Sequence, residues 1–443
     1  MGRSWHYREL IVTPRSARRG EKCVDYRCVV CKQPYTAQFI TRCLTCGGAI
    51  DVFYDLTRVR QHRRGNPIER FWDLLPLAHR NDLVWLGDGN TPCLHARALG
   101  RSVGLRRLYL KDETTNPTRT TKDRVVSLGL AYLRQFGIRT FALASSGNIS
   151  TAYARGVQLQ TGFHAHLFVA RYFLPRLNYA DHPCITTYVV DTDFVQAGNA
   201  AVAFTRNRDI VYEGGFFNPA RREGLKLAYL EAFDAIKTPP YAVFQAVSSG
   251  MGLLGAYKGA LEYAVLRAWD TLPRFFAVQQ TRCAPMATAF HEGYDRIQPH
   301  HVIENPQGLA TAILRGNPRR TYPYIHQLAL DTNGGILAVD DAAIREARLR
   351  LWEYEGIEAC YASATAVAAM LEMARAGKLP PTQPILVNVT GADRPPHPVP
   401  TTLIAWDATT TPHSPPQHGV AVSPDLRERG RASAPNAFPC ARG

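Results

Sequence analysis

Between about Asn81 and Asp393 the sequence alternates short apolar runs with longer amphipathic runs. The short runs predict strands at 108–110, 140–143, 166–169, 241–247, 275–279 and 385–389. The longer runs predict helices, among them 122–135, 253–269, 342–354 and 363–376. Strands that alternate with helices are joined by crossover connections, which bring neighbouring strands together in parallel. The pattern therefore predicts an α/β fold with a mostly parallel sheet.

The two ends of the chain depart from this pattern. Residues 1–60 are polar and hold five of the ten cysteines, all between Cys23 and Cys46, so we expect a separate small module there. The last 49 residues hold ten of the thirty prolines and show little periodicity. Such a segment cannot bury enough apolar surface to offset chain entropy. We expect residues 395–443 to be a disordered tail and residues 61–394 to form the main domain.

Composition narrows the choice of partners. No unbroken apolar run approaches the roughly 18 residues of a membrane span, and the first residues lack the apolar core of a secretory signal. We therefore expect a cytoplasmic protein without a membrane segment. The net charge of +15 would favour nucleic acid, but only eight of the 52 basic residues are lysine, and the arginines form no dense block. We expect no nucleic-acid binding, and an anionic substrate or cofactor instead.

Four of the N-terminal cysteines have the spacing of a metal site. Cys28 and Cys31 form one CxxC, and Cys43 and Cys46 form a second that two glycines follow. Two such turns can place four thiolates tetrahedrally around Zn²⁺. Because four protein ligands leave no open position for water, we assign a structural zinc ribbon and not a catalytic metal. The alternative is four thiols without a metal.

A second distinctive segment surrounds Lys122. Residues 110–124 read LKDETTNPTRTTKDR, so that a predicted strand is followed by a polar loop and Lys122 begins the next helix. A helix N-terminus lowers the proton affinity of a lysine, which suits a nucleophilic amine. A lysine beside Asp123 and Arg124 is nevertheless more often part of an exposed charged turn.

This segment resembles the cofactor-lysine motif of threonine synthase and its relatives among the fold-type II pyridoxal-phosphate enzymes. Further segments resemble family motifs in the same order: GDGNTPCL (87–94), ALASSGNIS (142–150), AVSSGMGLLGAYKG (246–259) and VNVTGAD (387–393). The resemblance implies that Lys122 holds pyridoxal 5'-phosphate as a Schiff base. It also implies two open, mostly parallel α/β subdomains, with the smaller one, roughly 125–238, inserted into the larger.

The loop SSGNIS lies between a predicted strand and a predicted helix, where backbone amides can converge on an anion. The resemblance implies that Ser145, Ser146 and Gly147 hold the substrate carboxylate, and that Asn148 approaches the ring hydroxyl of the cofactor. Ile149 stands where the family usually has threonine. From the residues alone, the loop is equally compatible with a simple helix cap.

The segment GMGLLG (250–255) fits the dinucleotide fingerprint G-x-G-x-x-G and so admits a nicotinamide-dependent oxidoreductase. That fold should place an acidic residue at the end of the next strand, and Gln279 and Gln280 stand there. A single phosphate is served equally well by such a loop. We therefore assign one set of residues to the cofactor phosphate: Ser248, Ser249, Gly250, Met251 and Gly252.

Two further residues are assigned to the site. The resemblance places Thr390 opposite the ring nitrogen, where a neutral hydroxyl would not stabilise a protonated ring. Arg119 replaces a residue that is usually glycine in the family; its guanidinium either binds an acidic group of the substrate or points to solvent.

The expected reaction is elimination or replacement at an amino acid side chain, with Lys122 as the general base. A strict threonine synthase would convert O-phosphohomoserine to threonine, and a diverged relative would catalyse another substitution or a dehydration. Two alternatives remain at this point, the nicotinamide-dependent oxidoreductase and a catalytically silent zinc-ribbon binding protein. A homodimer is the default expectation for the assembly.

Overall fold

The computed structural model describes residues 6–12, 22, 24–60, 64–191, 194–395 and 399–406. All ten predicted ranges coincide, within a few residues, with an element of the predicted type. The helix predicted at 122–135 has the same bounds as the observed Lys122–Gln135, and the strand predicted at 385–389 is observed as Ile385–Val389. Within the described residues, no helix is both long and apolar enough to cross a bilayer.

Fourteen strands are found in the described part of the chain. They are β1 (Val24–Cys28), β2 (Pro34–Tyr35), β3 (Ile50–Tyr54), β4 (Cys93–His95), β5 (Leu108–Asp112), β6 (Thr140–Ser145), β7 (His164–Ala170), β8 (Ile185–Val190), β9 (Val211–Tyr212), β10 (Ala242–Ala246), β11 (Arg274–Gln280), β12 (Gly335–Val339), β13 (Ile385–Val389) and β14 (Leu403–Ala405).

The same residues contain twelve α-helices. They are α1 (Tyr7–Val12), α2 (Pro67–Arg70), α3 (Arg97–Arg101), α4 (Lys122–Gln135), α5 (Asn148–Leu159), α6 (Phe194–Thr205), α7 (Pro219–Ile236), α8 (Met251–Leu266), α9 (Pro285–His291), α10 (Tyr322–Asp331), α11 (Asp341–Glu355) and α12 (Tyr361–Arg375).

Two largely parallel sheets form the body of the molecule, as the alternating pattern predicts. The larger has the order β12-β11-β10-β13-β5-β4, with β4 alone antiparallel to its neighbour, and the smaller has the order β14-β8-β7-β6-β9 and is parallel throughout. The chain leaves the larger sheet after β5, builds the smaller sheet, and returns through α7 to β10. The carboxyl ends of parallel strands are where such sheets bind ligands.

A third sheet, with the order β2-β1-β3 and antiparallel pairing, has Cys28 at the end of β1, and Cys31, Cys43 and Cys46 lie in the segments between its strands. This module is less separate than its composition suggests. Its residues Tyr26, Ile50 and Val52 are buried in the same hydrophobic core as Leu225 and Leu254 of the helices α7 and α8. The structure therefore shows a distinct sheet that shares a core with the main domain.

Buried charges connect this sheet to the main domain. Six side chains that are at most 1% exposed form what we call the interface cluster: Asp51, Arg222, Glu223, Lys226, Lys258 and Glu262. Asp51 lies on β3, whereas the other five lie on α7 and α8. Three carboxylates and three cations are present, so each buried charge has an opposite partner, which offsets the cost of taking it out of water.

The prediction of a disordered tail is wrong for its first part. Within residues 399–406, β14 pairs in parallel with β8 and extends the smaller sheet. The ring of Trp406 packs edge-on against Phe168 and Tyr188, with centroids 5.2 and 6.0 Å apart. The prediction failed because LIAW is a short apolar run between proline-rich stretches, and the packing of its Trp406 depends on an aromatic surface that the fold alone assembles. Residues 407–443 lie outside the described residues.

Candidate active site

Lys122 begins α4 at the junction of the two sheets. The preceding loop is held against the end of β13, because Thr121 N–H donates to the Thr390 carbonyl at 2.9 Å and Ala392 N–H donates to the Arg119 carbonyl at 2.9 Å. Among the described residues, no hydrogen-bond acceptor or carboxylate contacts Lys122 Nζ. Burial, together with the positive charge of Arg221, lowers the pKa of Lys122 to about 8. The amine is therefore a usable nucleophile near neutral pH.

Three other charged residues of the lysine segment have a structural role, together with Glu231 of α7. Lys111, Glu113, Arg124 and Glu231, which we call the motif cluster, form buried ion pairs. Arg124 Nε donates to Glu113 at 2.7 Å, its Nη2 donates to Glu231 at 2.8 Å, and Lys111 Nζ donates to Glu231 at 2.6 Å. The cluster ties β5 and α4 to α7 and so fixes both ends of the loop that presents Lys122.

The loop after β6 forms the N-terminus of α5. Ser145 Oγ accepts hydrogen bonds from the N–H groups of Gly147 (3.1 Å) and Ser150 (2.9 Å), so this hydroxyl holds the loop. Gly147 has φ of +114°, and a Cβ there would lie 2.7 Å from Arg176 Cβ. Ser145, Ser146 and Asn148 line the same cavity as Lys122, but Gly147 does not.

Two arginines that the sequence did not single out fix the orientation of Asn148. Arg176 Nη2 and Arg394 Nη2 donate to Asn148 Oδ1 at 3.2 and 2.9 Å. With its oxygen occupied, the amide presents its NH₂ group as the free donor. Arg176 and Arg394 carried no local signal, since Arg176 ends a short 3-10 helix, Arg394 lies in a loop, and both are distant from Asn148 in sequence.

The glycine loop lies at the N-terminus of α8. Gly250 has φ of +79° and is the N-cap residue, so it supplies no side-chain cap to the first helical amides. A Cβ at Gly250 would lie 2.3 Å from Ile325 Cδ1, and one at Gly252 would lie 2.7 Å from Gln245 Nε2. The positive φ of Gly250 favours glycine, and Gly250, Met251 and Gly252 line the cavity, where the amides at the start of α8 can form an anion site.

Thr390 closes the site at the end of β13. Its Oγ1 lies 3.2 Å from Ser363 Oγ on α12, and Ser363 Oγ in turn contacts the backbone of Gly391. Two residues earlier, Asn388 Nδ2 donates to Tyr229 Oη at 3.0 Å. Hydroxyl and amide groups, not carboxylates, therefore surround this end of the cavity.

These elements enclose a cavity of about 670 Å³. The structure brings together ten of the residues that the sequence assigned to cofactor or substrate: Lys122, Ser145, Ser146, Asn148, Ser248, Ser249, Gly250, Met251, Gly252 and Thr390. It does not bring Arg119 there. Arg119 has φ of +58°, and its guanidinium leaves the cavity to pair with the exposed Glu358 at 2.8 Å. Of the two alternatives for Arg119, the outward orientation is the one observed.

Buried polar atoms without a hydrogen-bond partner indicate whether pyridoxal phosphate fits this cavity. Thr121 Oγ1 and Asn388 Oδ1 are buried at the cavity wall and have no hydrogen-bond partner among the residues that the structure describes. Together with the amides at the start of α8 and the amine of Lys122, they provide a phosphate site, polar contacts for a ring and a nucleophile. The residues present therefore fit the cofactor.

The four cysteines of the two CxxC turns also converge. Their Sγ atoms all lie within 4.8 Å of one another, and the pairs Cys28–Cys46 and Cys31–Cys43 are 3.4 and 3.5 Å apart. Tetrahedral zinc with Zn–S bonds of about 2.3 Å needs sulfur atoms about 3.8 Å apart. The arrangement is compatible with a zinc ribbon.

The comparison with known families agrees with this geometry. Residues 84–391 match the family of pyridoxal-phosphate dependent enzymes, and the chain belongs to this family. Its architecture is that of the fold-type II members, and within them it is threonine synthase-like. The glycine loop therefore belongs to a pyridoxal-phosphate enzyme, and the nicotinamide alternative has no support.

Named relatives make the likeness more specific. The chain is 26% identical over 375 residues to a threonine synthase of Methanocaldococcus jannaschii, covering 82% of this chain and 91% of that protein. It is 27% identical over 386 residues to a cysteate synthase of Methanosarcina acetivorans, covering 80% and 92%. Among solved structures, maize serine racemase is similar in fold, with a TM-score of 0.57, 18% identity, and coverage of 69% of this chain and 89% of that one.

Proposed function

We propose that this protein catalyses elimination or replacement at the side chain of an amino acid, with pyridoxal phosphate bound to Lys122. The observation that carries the proposal is the half-buried amine of Lys122, free of any partner among the described residues, in a cavity that the N-terminus of α8 also lines. Similarity to threonine and cysteate synthases over about four fifths of the chain supports the same reaction class. A phosphorylated amino acid such as O-phosphohomoserine is the first candidate substrate.

Each wall of the cavity has a part in this proposal. Bound pyridoxal phosphate supplies an electron sink for the negative charge that develops at the substrate α-carbon. The amides of α8, with Ser248, Ser249, Gly250, Met251 and Gly252, would hold its phosphate. Asn148 would donate to the ring hydroxyl, and Thr390 would supply a neutral hydroxyl for the ring nitrogen.

Lys122 Nζ has two tasks. Its lowered pKa, about 8, leaves part of the amine neutral at pH 7 to 8, so that it could hold the cofactor covalently. The same Nζ would also serve as the general base for the substrate α-proton. Ser146 lies at the same wall as Asn148 and, with Ser145 and the loop amides, receives the substrate carboxylate.

We also propose a structural Zn²⁺ at Cys28, Cys31, Cys43 and Cys46. The converging Sγ atoms support it, and metal analysis of purified protein tests it: about one zinc per chain is expected, and a Cys43→Ser variant should hold less.

The other expectations from the sequence stay predictions. They are a cytoplasmic location, no nucleic-acid partner and a homodimer, the last of which sedimentation would check. The domain boundaries, with a smaller subdomain at roughly 125–238, also stay a proposal, although four of the five strands of the smaller sheet lie within 140–212.

The decisive experiment is the visible spectrum of cofactor-loaded wild type and Lys122→Ala, followed by borohydride reduction and peptide mapping. We expect a coloured wild type whose reduced cofactor maps to Lys122, and a variant with neither colour nor label. Turnover in the variant should fall by on the order of 10²- to 10⁴-fold, since a general base is lost. Lys378→Ala, which removes an exposed lysine, is the matched control.

A colourless wild type would refute the proposal. A coloured protein that turns over no phosphorylated or unphosphorylated amino acid would favour the catalytically silent alternative. Phosphate release from O-phosphohomoserine would identify the strict threonine synthase reaction.

A further inference from the structure

The cysteine module, which comprises residues 24–54 with strands β1 to β3, contributes residues to the wall of the candidate active site. Thr41 and Arg42 belong to the segment between Cys31 and Cys43, and both line the cavity that contains Lys122. Arg42 pairs with Ala49 in an antiparallel bridge, and the next residue, Cys43, donates its N–H to Gly48 at 2.9 Å. The turn that brings Cys43 to the other thiols therefore also sets the backbone position of Arg42.

The side chain of Arg42 is held from two directions. Its guanidinium carbon lies 3.5 Å from the ring centroid of Phe217, and its Nη1 donates to the Gly47 carbonyl at 3.3 Å. Beside it, Thr41 packs so closely on the main domain that a Cβ at Gly214 would lie 2.5 Å from Thr41 Cγ2. Arg42 is thus clamped between the second CxxC turn and the cavity wall.

The cavity rim near Arg42 is strongly basic. Arg319 and Arg320 also line it, and within the part of the chain that the structure describes, no aspartate or glutamate does. In the same residues, none of these three guanidinium groups has a carboxylate within ion-pair distance, unlike Arg124, which has two. Like charges gathered without counter-charges favour a bound oxyanion.

We propose that Arg42, Arg319 and Arg320 bind an anionic group on the substrate side chain, such as a phosphate or sulfonate, and that metal at the four cysteines holds Arg42 in this subsite. The proposal rests on the proposed function, since it specifies the substrate end that faces away from the cofactor. It changes the part assigned to the zinc ribbon, because a purely stabilising module would not contribute a substrate contact.

Inorganic phosphate is the first probe. Its affinity for cofactor-loaded, full-length protein is measured by titration calorimetry in wild type, Arg42→Gln and Lys32→Gln. Lys32 lies in the same cysteine loop but pairs with Glu9 outside the cavity, so its variant removes an equal charge from the same module. Arg42→Gln should weaken phosphate binding on the order of tenfold, as expected for one lost charged hydrogen bond, whereas Lys32→Gln should not.

The metal link is tested by repeating the titration after removal of metal with a chelator, with metal content and circular dichroism recorded on the same samples. Removal of the metal should weaken phosphate binding in wild type about as much as Arg42→Gln does, and should cause no further loss in the Arg42→Gln variant. If the two losses multiply in the metal-free Arg42→Gln variant, the link between metal and Arg42 is wrong. If stripping unfolds the protein, the titration is run on Cys46→Ser, to which the same expectations apply.

Two amino acids that differ only in a phosphate group test whether the three arginines bind an anion on the substrate side chain. Binding of O-phospho-L-serine and L-serine is followed through the visible spectrum of the cofactor. Arg42→Gln should weaken the first by about tenfold and leave the second unchanged. An equal effect on both, or unaltered phosphate binding, would overturn the subsite. Failure of the proposed function would be seen separately, as wild type without the visible absorbance of bound cofactor.

Discussion

The two buried charge clusters both include residues of helix α7, but they join different parts of the molecule. The motif cluster uses Glu231 to hold the loop that presents Lys122, whereas the interface cluster uses residues 222–226 to attach the cysteine module. Each has equal numbers of carboxylates and cations. Such networks gain little over apolar packing but cost much when one member is lost, so they fix which elements lie together.

The clusters also differ in redundancy. Lys111 has a single carboxylate partner among the described residues, Glu231 at 2.6 Å. In the interface cluster, Lys226 pairs with Glu223 at 2.5 Å and with Glu262 at 2.9 Å, and Lys258 contacts the same two carboxylates as well as Asp51. The loss of one carboxylate is therefore more easily compensated there. The difference is confined to the lysines. Arg124 of the motif cluster has two carboxylate partners, whereas Arg222 of the interface cluster pairs with Asp51 alone among the described residues.

The largest effect is expected for Glu231→Gln. It leaves Lys111 buried without a carboxylate and takes from Arg124 one of its two, so the free energy of unfolding should fall by about 3 to 5 kcal/mol. Cofactor affinity should fall with it, because both ends of the Lys122 loop lose their anchor. Denaturant unfolding and cofactor titration measure the two. Glu358→Gln, which removes an exposed partner of Arg119, is the control and should change stability by less than about 1 kcal/mol. Unaltered cofactor affinity in a destabilised Glu231→Gln would show that the cluster does not position the loop.

A smaller effect is expected for Glu223→Gln in the interface cluster. Lys226 keeps Glu262 and Lys258 keeps Asp51, so the loss should be about 2 kcal/mol, comparable to an unsatisfied hydrogen bond at a charged group. Cofactor affinity should be retained in the folded protein, since Glu223 does not contact the lysine loop. A loss as large as that of Glu231→Gln would contradict the proposed redundancy.

The smallest effect concerns pH, where one carboxylate of each cluster, Glu231 and Glu262, should behave oppositely. Burial alone raises the pKa of Glu231, but Arg124 and Lys111 lower it to about 2. Its stabilisation is therefore present above its unfolded pKa of about 4.3 and is lost as pH falls toward 2. Burial raises the pKa of Glu262, so its protonated form is favoured in the folded state and stability is lost as pH rises through that pKa.

The stability of wild type, Glu231→Gln and Glu262→Gln is compared between pH 3 and 7. Relative to wild type, Glu231→Gln should lose less stability on acidification, and Glu262→Gln should lose less as pH rises, with slopes of up to about 1.4 kcal/mol per pH unit for each group. Parallel curves for all three proteins would contradict the opposite titration of Glu231 and Glu262.

Much of the fold followed from local pattern. The period of apolar residues predicted α4 and β13 with their observed bounds, because elements that are buried on known faces leave a direct trace in sequence. By contrast, α7 was not predicted, since it is buried on nearly all sides yet carries Arg222, Glu223, Lys226 and Glu231. A helix of this kind has no clear apolar stripe, and its charges are stable only beside partners from other elements.

The site divides in the same way. The sequence by itself determined the local devices: the lysine at a helix start, glycines where a Cβ would collide, and paired CxxC turns. These depend on backbone geometry over a few residues. Only the tertiary structure decided that Arg119 points outward, that Arg176 and Arg394 orient Asn148, and that Arg42 of the cysteine module enters the cavity. Side chains distant in sequence meet through packing, and the free energy of a buried charge depends on partners that packing alone supplies.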